Sequence, residues 1–183
     1  MTRGEVPAKP FLDACVEFLP LIDRLGKVFY PVRSDIEGNI KKLQAIAKTK
    51  PNGVTLQALV REEKVADTSK VGVAGDSLLW LKRAMQFMNV FLGTVSRGGE
   101  ANAAAKDAYS TTLQKYHGFV VKRTFNMGLM AAPGTDAILS RLGGDGADPA
   151  ETLADLGEWV AAATPLLLAI DAFLAAQGIH HTA

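Results

Sequence analysis

Residues 76–95, DSLLWLKRAMQFMNVFLGTV, carry Leu81, Met85, Met88, Phe91, Leu92 and Val95 on one wide apolar arc, which Phe87 and Val90 widen further. The spacing is that of an α-helix. An arc this broad implies burial on two sides. A helix in the middle of a two-layer packing needs that, and so does a helix with protein on one side and an apolar ligand on the other. The arc alone does not separate the two.

Helical patterning continues outward in both directions. The pattern predicts helices over Phe11–Phe29, kinked near Pro20, and over Val32–Lys48, which the breaker PNG at 51–53 ends. A shorter helix follows over Val54–Ala66, with Thr55 near its start. The stretch DTSKVGVAGDS leads to Asp76 or Ser77 as the N-cap of a helix over Leu78–Val95. Ala103–Ala131 reads as one long helix that stops before Pro133. Glu151–Gln177 reads as the last, with Pro149 suited to its start and a bend at Pro165. No run of alternating, β-branched residues suggests a strand. At 183 residues, with no internal repeat or low-complexity tract, the chain reads as one all-α domain over 1–183.

Composition narrows the function. The hydrophobic fraction is 48% and the charged fraction 21%. Such apolar excess suits an interior that also receives apolar ligand, or an alanine-rich helical protein. A net charge of +1 argues against nucleic acid as a partner. The single cysteine, Cys15, excludes an intramolecular disulfide and agrees with a reducing compartment. It reads as a buried small hydrophobe. MTRGEVPAKPF has no apolar h-region. Pro165 and Asp171 interrupt WVAAATPLLLAIDAFLAA, which falls short of the ~20 unbroken apolar residues of a spanning helix. A soluble, cytoplasmic protein is the expectation.

Polar residues are grouped at three places. In VRSDIEGNIKKLQ, Asp35, Asn39 and Lys42 stand at offsets 0, +4 and +7, on one face of a helix. Asp35 falls in the first turn of that predicted helix, where the dipole favours a carboxylate. Taken singly, each reads as a solvated helix residue. Together they form a strip of acceptor, mixed and donor character, which suits hydroxyls that both donate and accept. Lys41 points about a quarter turn away. Trp80 reads as a core residue or, beside Lys82 and Arg83, as an indole at a polar boundary able to stack on a sugar ring. His117, followed by Gly118, reads as a satisfied core histidine or as a neutral imidazole donating to an amide carbonyl.

Enzyme readings find little support. The chain has no G-x-S-x-G elbow, P-loop or H-E-x-x-H, and GVAGDS lacks the phosphate-loop lysine. His180 and His181 make no metal spacing, and Asp145, Asp148 and Glu151 do not fit a calcium loop. No metal and no cofactor is expected. An Asp35–His117 acid–base pair stays open as a small helical enzyme.

Read together, DIEGNIKKL, LLWLKRAMQF-x-x-VF and KYHG-x-x-V-x-x-x-F-x-x-x-L-x-AAP resemble the signature segments of glycolipid transfer proteins. The resemblance runs from about Phe11 to the final helix. It implies a two-layer all-α sandwich of about eight helices, with lipid chains in an apolar pocket and the headgroup in a surface site. By matching positions, Asp35 would bond sugar hydroxyls and the ceramide amide N–H, and Asn39 and Lys42 would bond sugar hydroxyls. Trp80 would be the stacking platform, and His117 would bond the amide oxygen. Phe87, Phe91, Leu113 and Phe125 would line the apolar pocket. Phe119, with Lys122 and Arg123, would touch the membrane.

The implied ligand is a glucosyl-, galactosyl- or lactosylceramide-like glycosphingolipid, carried between membranes without covalent chemistry. The implied partners are a transient membrane surface and, in a sensor or scaffold variant, a membrane-associated protein. A branch of the family that binds ceramide-1-phosphate places cations where this chain has Asn39 and Trp80. The neutral pair here points to glycolipid, although Lys42 and Arg83 are compatible with a sulfated sugar or a phosphate. The chain departs from the family at Phe119, where tryptophan is common, near Gly134, and in GIHHTA, which lacks an apolar-aromatic tail.

Overall fold

The computed structural model describes residues 4–63 and 71–179. Lys64 to Ala66 of a predicted helix, the DTSK segment, and His180 and His181 lie outside the described residues. Eight α-helices and no strand occur among the described residues: α1 Ala8–Leu25, α2 Tyr30–Ala47, α3 Leu56–Arg61, α4 Val73–Ser96, α5 Ala101–Thr112, α6 Phe119–Met130, α7 Thr135–Gly143 and α8 Pro149–Ala176. Short 3-10 turns at Lys27–Phe29 and Gln114–Tyr116 join neighbours.

Local chemistry explains most boundaries. Pro20 lies inside α1, yet the helix ends at Leu25 rather than Phe29, because Gly26 takes φ +110°, which side chains rarely tolerate. Arg141 of α7 donates to the Leu25 carbonyl at 3.3 Å, closing that end. In α2, Pro31 occupies the first turn, so the helix starts at Tyr30 and Asp35 moves into the second turn. The helix macrodipole therefore does little for Asp35, since the effect fades beyond the first turn. Thr55 caps α3, its hydroxyl oxygen accepting from the Ala58 N–H at 3.2 Å.

Helix α4 begins before Asp76 and Ser77, so neither is its N-cap. Gly72 holds that position, and Glu63 from the end of α3 accepts the Ala74 N–H at 2.9 Å. At α8, Pro149 opens the helix as expected and the Asp148 carboxylate accepts from the Ala150 N–H at 2.8 Å. Pro165 lies inside α8 without ending it.

The largest departure is the predicted helix over 103–131. It is split into α5 and α6 by the turn Gln114–Tyr116, an extended His117 and Gly118. Thr111 and Thr112 turn their hydroxyls back onto the Asp107 and Ala108 carbonyls, and Gly118 is a poor helix former. Helix α7 had no counterpart in the sequence reading. Only Ile138 and Leu139 on it are buried, too few for a periodic signal over nine residues.

Helix α1 packs between α2 and α7, and α4 packs between α5 and α8. Contacts of α2 with α4, and of α7 with α8, join the two groups into a helical sandwich. The arc on α4 is buried all round: Phe87, Met88, Phe91, Leu92 and Val95 are 0% exposed. Phe29 lies against Phe91 at a ring-centroid distance of 5.1 Å, and Phe91 stacks on Phe87 at 6.5 Å.

Helix α8 contains a window apolar enough, by length and composition, to cross a membrane, which the interrupted pattern around Pro165 and Asp171 had argued against. Here one side of it is packed: Leu167, Ile170, Phe173 and Leu174 are buried, and Asp171 pairs with the buried Lys82 of α4.

Candidate functional site

Helix α2 presents the first part of the site. Asn39 is 4% exposed, and its amide Nδ2 donates to the Asp35 carbonyl at 2.9 Å and to Asp35 Oδ1 at 3.2 Å. Asn39 thus holds the carboxylate in place. Partial burial pushes the Asp35 carboxyl above its ordinary range; the Asn39 hydrogen bond and the Lys42 charge oppose this, and Asp76 adds to it. The Asp35 side chain still reaches solvent, so water screens part of the effect. Lys42 is exposed. Lys41 pairs with Glu37 at 2.7 Å, and Glu37 also pairs with Arg33, so these charges occupy the neighbouring face.

Helix α4 supplies Trp80, half-buried, and Arg83, 2% exposed. The Arg83 guanidinium carbon lies 3.3 Å from the Tyr116 ring centroid and 5.0 Å from that of Trp80. It therefore packs over the indole as a cation–π contact. The extended segment between α5 and α6 supplies His117. Its ring lies 6.3 Å from that of Trp80 and nearly parallel, at 15°. Burial lowers the His117 pKa, and the charges of Lys122 and Arg83 lower it further. Both effects favour the neutral imidazole.

A cavity of about 190 Å³ brings these pieces together, with Asp35, Trp80, His117, Leu113 and Phe125 among its walls, and Pro31, Val32, Ala84 and Val121 completing them. The split of the predicted long helix is what turns His117 into it. Asn39 lies beside this cavity through Asp35, and Lys42 stands outside it. Phe87 and Phe91 do not line it. Phe125 meets Phe87 edge-on at 5.9 Å, and Phe87 leads on to Phe91, so both belong to the core behind the wall. On α6, Phe119 is 78% exposed, whereas Lys122 is half-buried on the His117 side.

Sequence reasoning missed Tyr109 and Tyr116, which are placed only by tertiary packing. It also missed an apolar cavity of about 370 Å³ between α1, α4 and α8, lined by Phe11, Cys15, Met85, Trp159, Leu167 and their neighbours. The Cys15 thiol there is pushed up to about 12 by burial, so it is an inert wall residue. Among the described residues, no group of three His, Cys, Asp or Glu side chains is placed to hold a metal ion.

A carboxylate, an indole and an imidazole lining an apolar cavity suit an amphiphile. Comparison with known proteins agrees with the class. The glycolipid transfer protein family model matches residues 6–144, and the chain belongs to that family. Family and fold are those of lipid transfer proteins.

A curated relative, pleckstrin homology domain-containing family A member 8 of Danio rerio, is 38% identical over 141 residues, 75% of this chain and 26% of that protein. The chain thus spans about a quarter of the length of such relatives. A glycolipid transfer protein of Aureobasidium melanogenum is 33% identical over 178 residues, 95% of this chain and 86% of that protein. A solved structure described as showing how FAPP2 selects simple glycosphingolipids is 31% identical, with a TM-score of 0.80 over 100% of this chain and 91% of that one. Mouse ceramide-1-phosphate transfer protein, at 18% identity and a TM-score of 0.84 over 100% of this chain and 93% of that one, shares the fold.

Proposed function

We propose that the chain, acting as one domain, binds a single glycosphingolipid and moves it between membranes without chemical change. The observation that carries this reading is the cavity that joins Asp35, Trp80 and His117 to Leu113 and Phe125. Asp35 accepts from sugar hydroxyls and the ceramide amide N–H, Asn39 and Lys42 reach further hydroxyls, and His117 donates to the amide oxygen. Trp80 offers its indole face to the first sugar. The tails occupy apolar volume, for which the 370 Å³ cavity along α1 and α8 is a second reservoir. At about 0.8 kcal/mol per CH₂, two long chains are worth on the order of tens of kcal/mol, so the interior must roughly match the bilayer for exchange to be reversible.

A phosphate headgroup calls for clustered cations. Here Arg83 lies against two rings and Lys82 is buried against Asp171, which leaves Lys42 as the exposed lysine of the strip. That favours a neutral sugar over ceramide-1-phosphate. The same chemistry fits a cytoplasmic protein that meets membranes at their surface. A sensor that reports its lipid to a membrane-associated protein uses the same site and differs in showing lipid-dependent partner binding.

Native mass spectrometry after incubation with vesicles containing glucosylceramide tests the binding step. One intact lipid per chain is expected; a chain that stays empty, or returns cleaved lipid, contradicts the reading.

Membrane contact falls to α6, which exposes Phe119 at 78%, Val120 at 73% and Met130 at 73% beside Arg123. Phe119→Ala is expected to weaken vesicle binding in a flotation assay by roughly tenfold, the scale of one lost aromatic contact. Capture of a short-chain glycolipid from solution is expected to be unchanged. An equal loss in both assays would remove Phe119 from the membrane surface.

A further inference from the structure

Tyr109, on α5, is 0% exposed, and its hydroxyl lies 3.0 Å from His117 Nδ1. A phenol hydroxyl is a better donor than acceptor, and an imidazole nitrogen is a far better acceptor than a phenol oxygen. These preferences favour donation from Tyr109 O–H to Nδ1, with the imidazole proton on Nε2. Three rings hold this geometry. Tyr109 stacks on Phe125 with centroids 4.3 Å apart, and the His117 ring lies 5.6 Å from Tyr109, 6.0 Å from Phe125 and 6.3 Å from Trp80. Since His117 lines the cavity and its Nδ1 is taken by Tyr109, Nε2–H is the nitrogen left for a ligand.

We propose that Tyr109 is a positioning residue that fixes His117 as the Nε2–H tautomer, so that the site selects lipids presenting a hydrogen-bond acceptor there, such as an amide carbonyl. With the opposite tautomer, Nε2 would carry a lone pair facing the carbonyl oxygen and would repel it. The ligand half of this proposal rests on the lipid-binding reading above. The tautomer half does not.

Charged groups bear on the ring from three helices: Asp35 shares the cavity from α2, Arg83 approaches from α4 and Lys122 from α6. The readout is therefore the tautomer rather than a pH midpoint. Nitrogen-15 NMR of the lipid-free full chain at pH 7.5 reports it directly. The chain has three histidines, and His117 is assigned by the signals lost in His117→Asn. Wild type is expected to show a protonated Nε2 and a bare Nδ1. Tyr109→Phe keeps the ring and its stack on Phe125. It is expected to show a mixture of tautomers and to lose glucosylceramide affinity by roughly three- to tenfold, the scale of one hydrogen bond.

A wild-type His117 protonated at Nδ1 overturns the proposal, and this reading requires no variant to fold. A Tyr109→Phe protein with an unchanged tautomer overturns it as well, whatever its affinity. If wild type shows the expected tautomer but captures no glycolipid, the positioning role stands and the lipid reading fails.

Discussion

Trp80→Ala is expected to lower glycosylceramide affinity by about 30- to 150-fold, or about 2–3 kcal/mol, the range of a tryptophan at the centre of a binding site. The indole is half-buried, with Arg83 over its ring and His117 nearly parallel to it. Removing it takes away the flat surface for the sugar and leaves the guanidinium of Arg83 facing the site. Both changes work against a neutral headgroup. Trp80→Phe keeps an apolar ring of smaller area and is expected to lose less. Binding is read by titration with short-chain glucosylceramide, alongside thermal unfolding, because truncating a buried aromatic costs up to about 3–5 kcal/mol. The comparison with Phe119→Ala decides the assignment: soluble binding falls strongly in the first variant and not in the second. Equal losses in two folded proteins would remove Trp80 from the headgroup site.

Asp35→Asn is expected to act in opposite directions on binding and stability. For binding, a charged acceptor is replaced by a neutral one, which costs about 1.5–3 kcal/mol, ten- to a hundredfold or somewhat more. For stability, burial raises the Asp35 carboxyl above its ordinary 3.8. Below 3.8, both folded and unfolded chains hold the proton, and the carboxyl makes no pH-dependent difference. As pH rises from there through the raised folded value, the unfolded chain ionises more readily, so the carboxylate progressively destabilises the fold. Asparagine cannot ionise, and its side-chain oxygen still accepts from Asn39. The variant is therefore expected to melt higher than wild type at pH 7, by a modest amount because the group reaches solvent, with the gain vanishing near pH 3.8. Calorimetry at the two pH values checks this. A variant that melts lower at pH 7 would mean that the ionised carboxylate stabilises the empty site.

Features written in local chemistry were legible in the sequence. The arc on α4, a helix start close to Thr55 and the opening of α8 at Pro149 depend on residues a few positions apart, and each appears in the structure. What depended on distant packing was not legible. His117 turns into the cavity because α5 ends at Thr112 and Gly118 starts a new helix, whereas an apolar pattern from 103 to 131 reads as continuous. Tyr109 looks like any aromatic on an alanine-rich helix until α6 folds back and sets Phe125 against it. Phe87 and Phe91 show the converse case: their spacing marks an apolar face, but only the fold sets Phe125 edge-on against Phe87.

We propose that this site carries a neutral sugar-bearing sphingolipid between membranes. It is tested most directly by transfer of labelled glucosylceramide between donor and acceptor vesicles, with labelled ceramide-1-phosphate run in parallel. Glucosylceramide is expected to transfer well above the protein-free rate and much more slowly with Trp80→Ala, with ceramide-1-phosphate left near background. Transfer of ceramide-1-phosphate in place of the glycolipid would contradict it and make Lys42 and Arg83 the headgroup contacts.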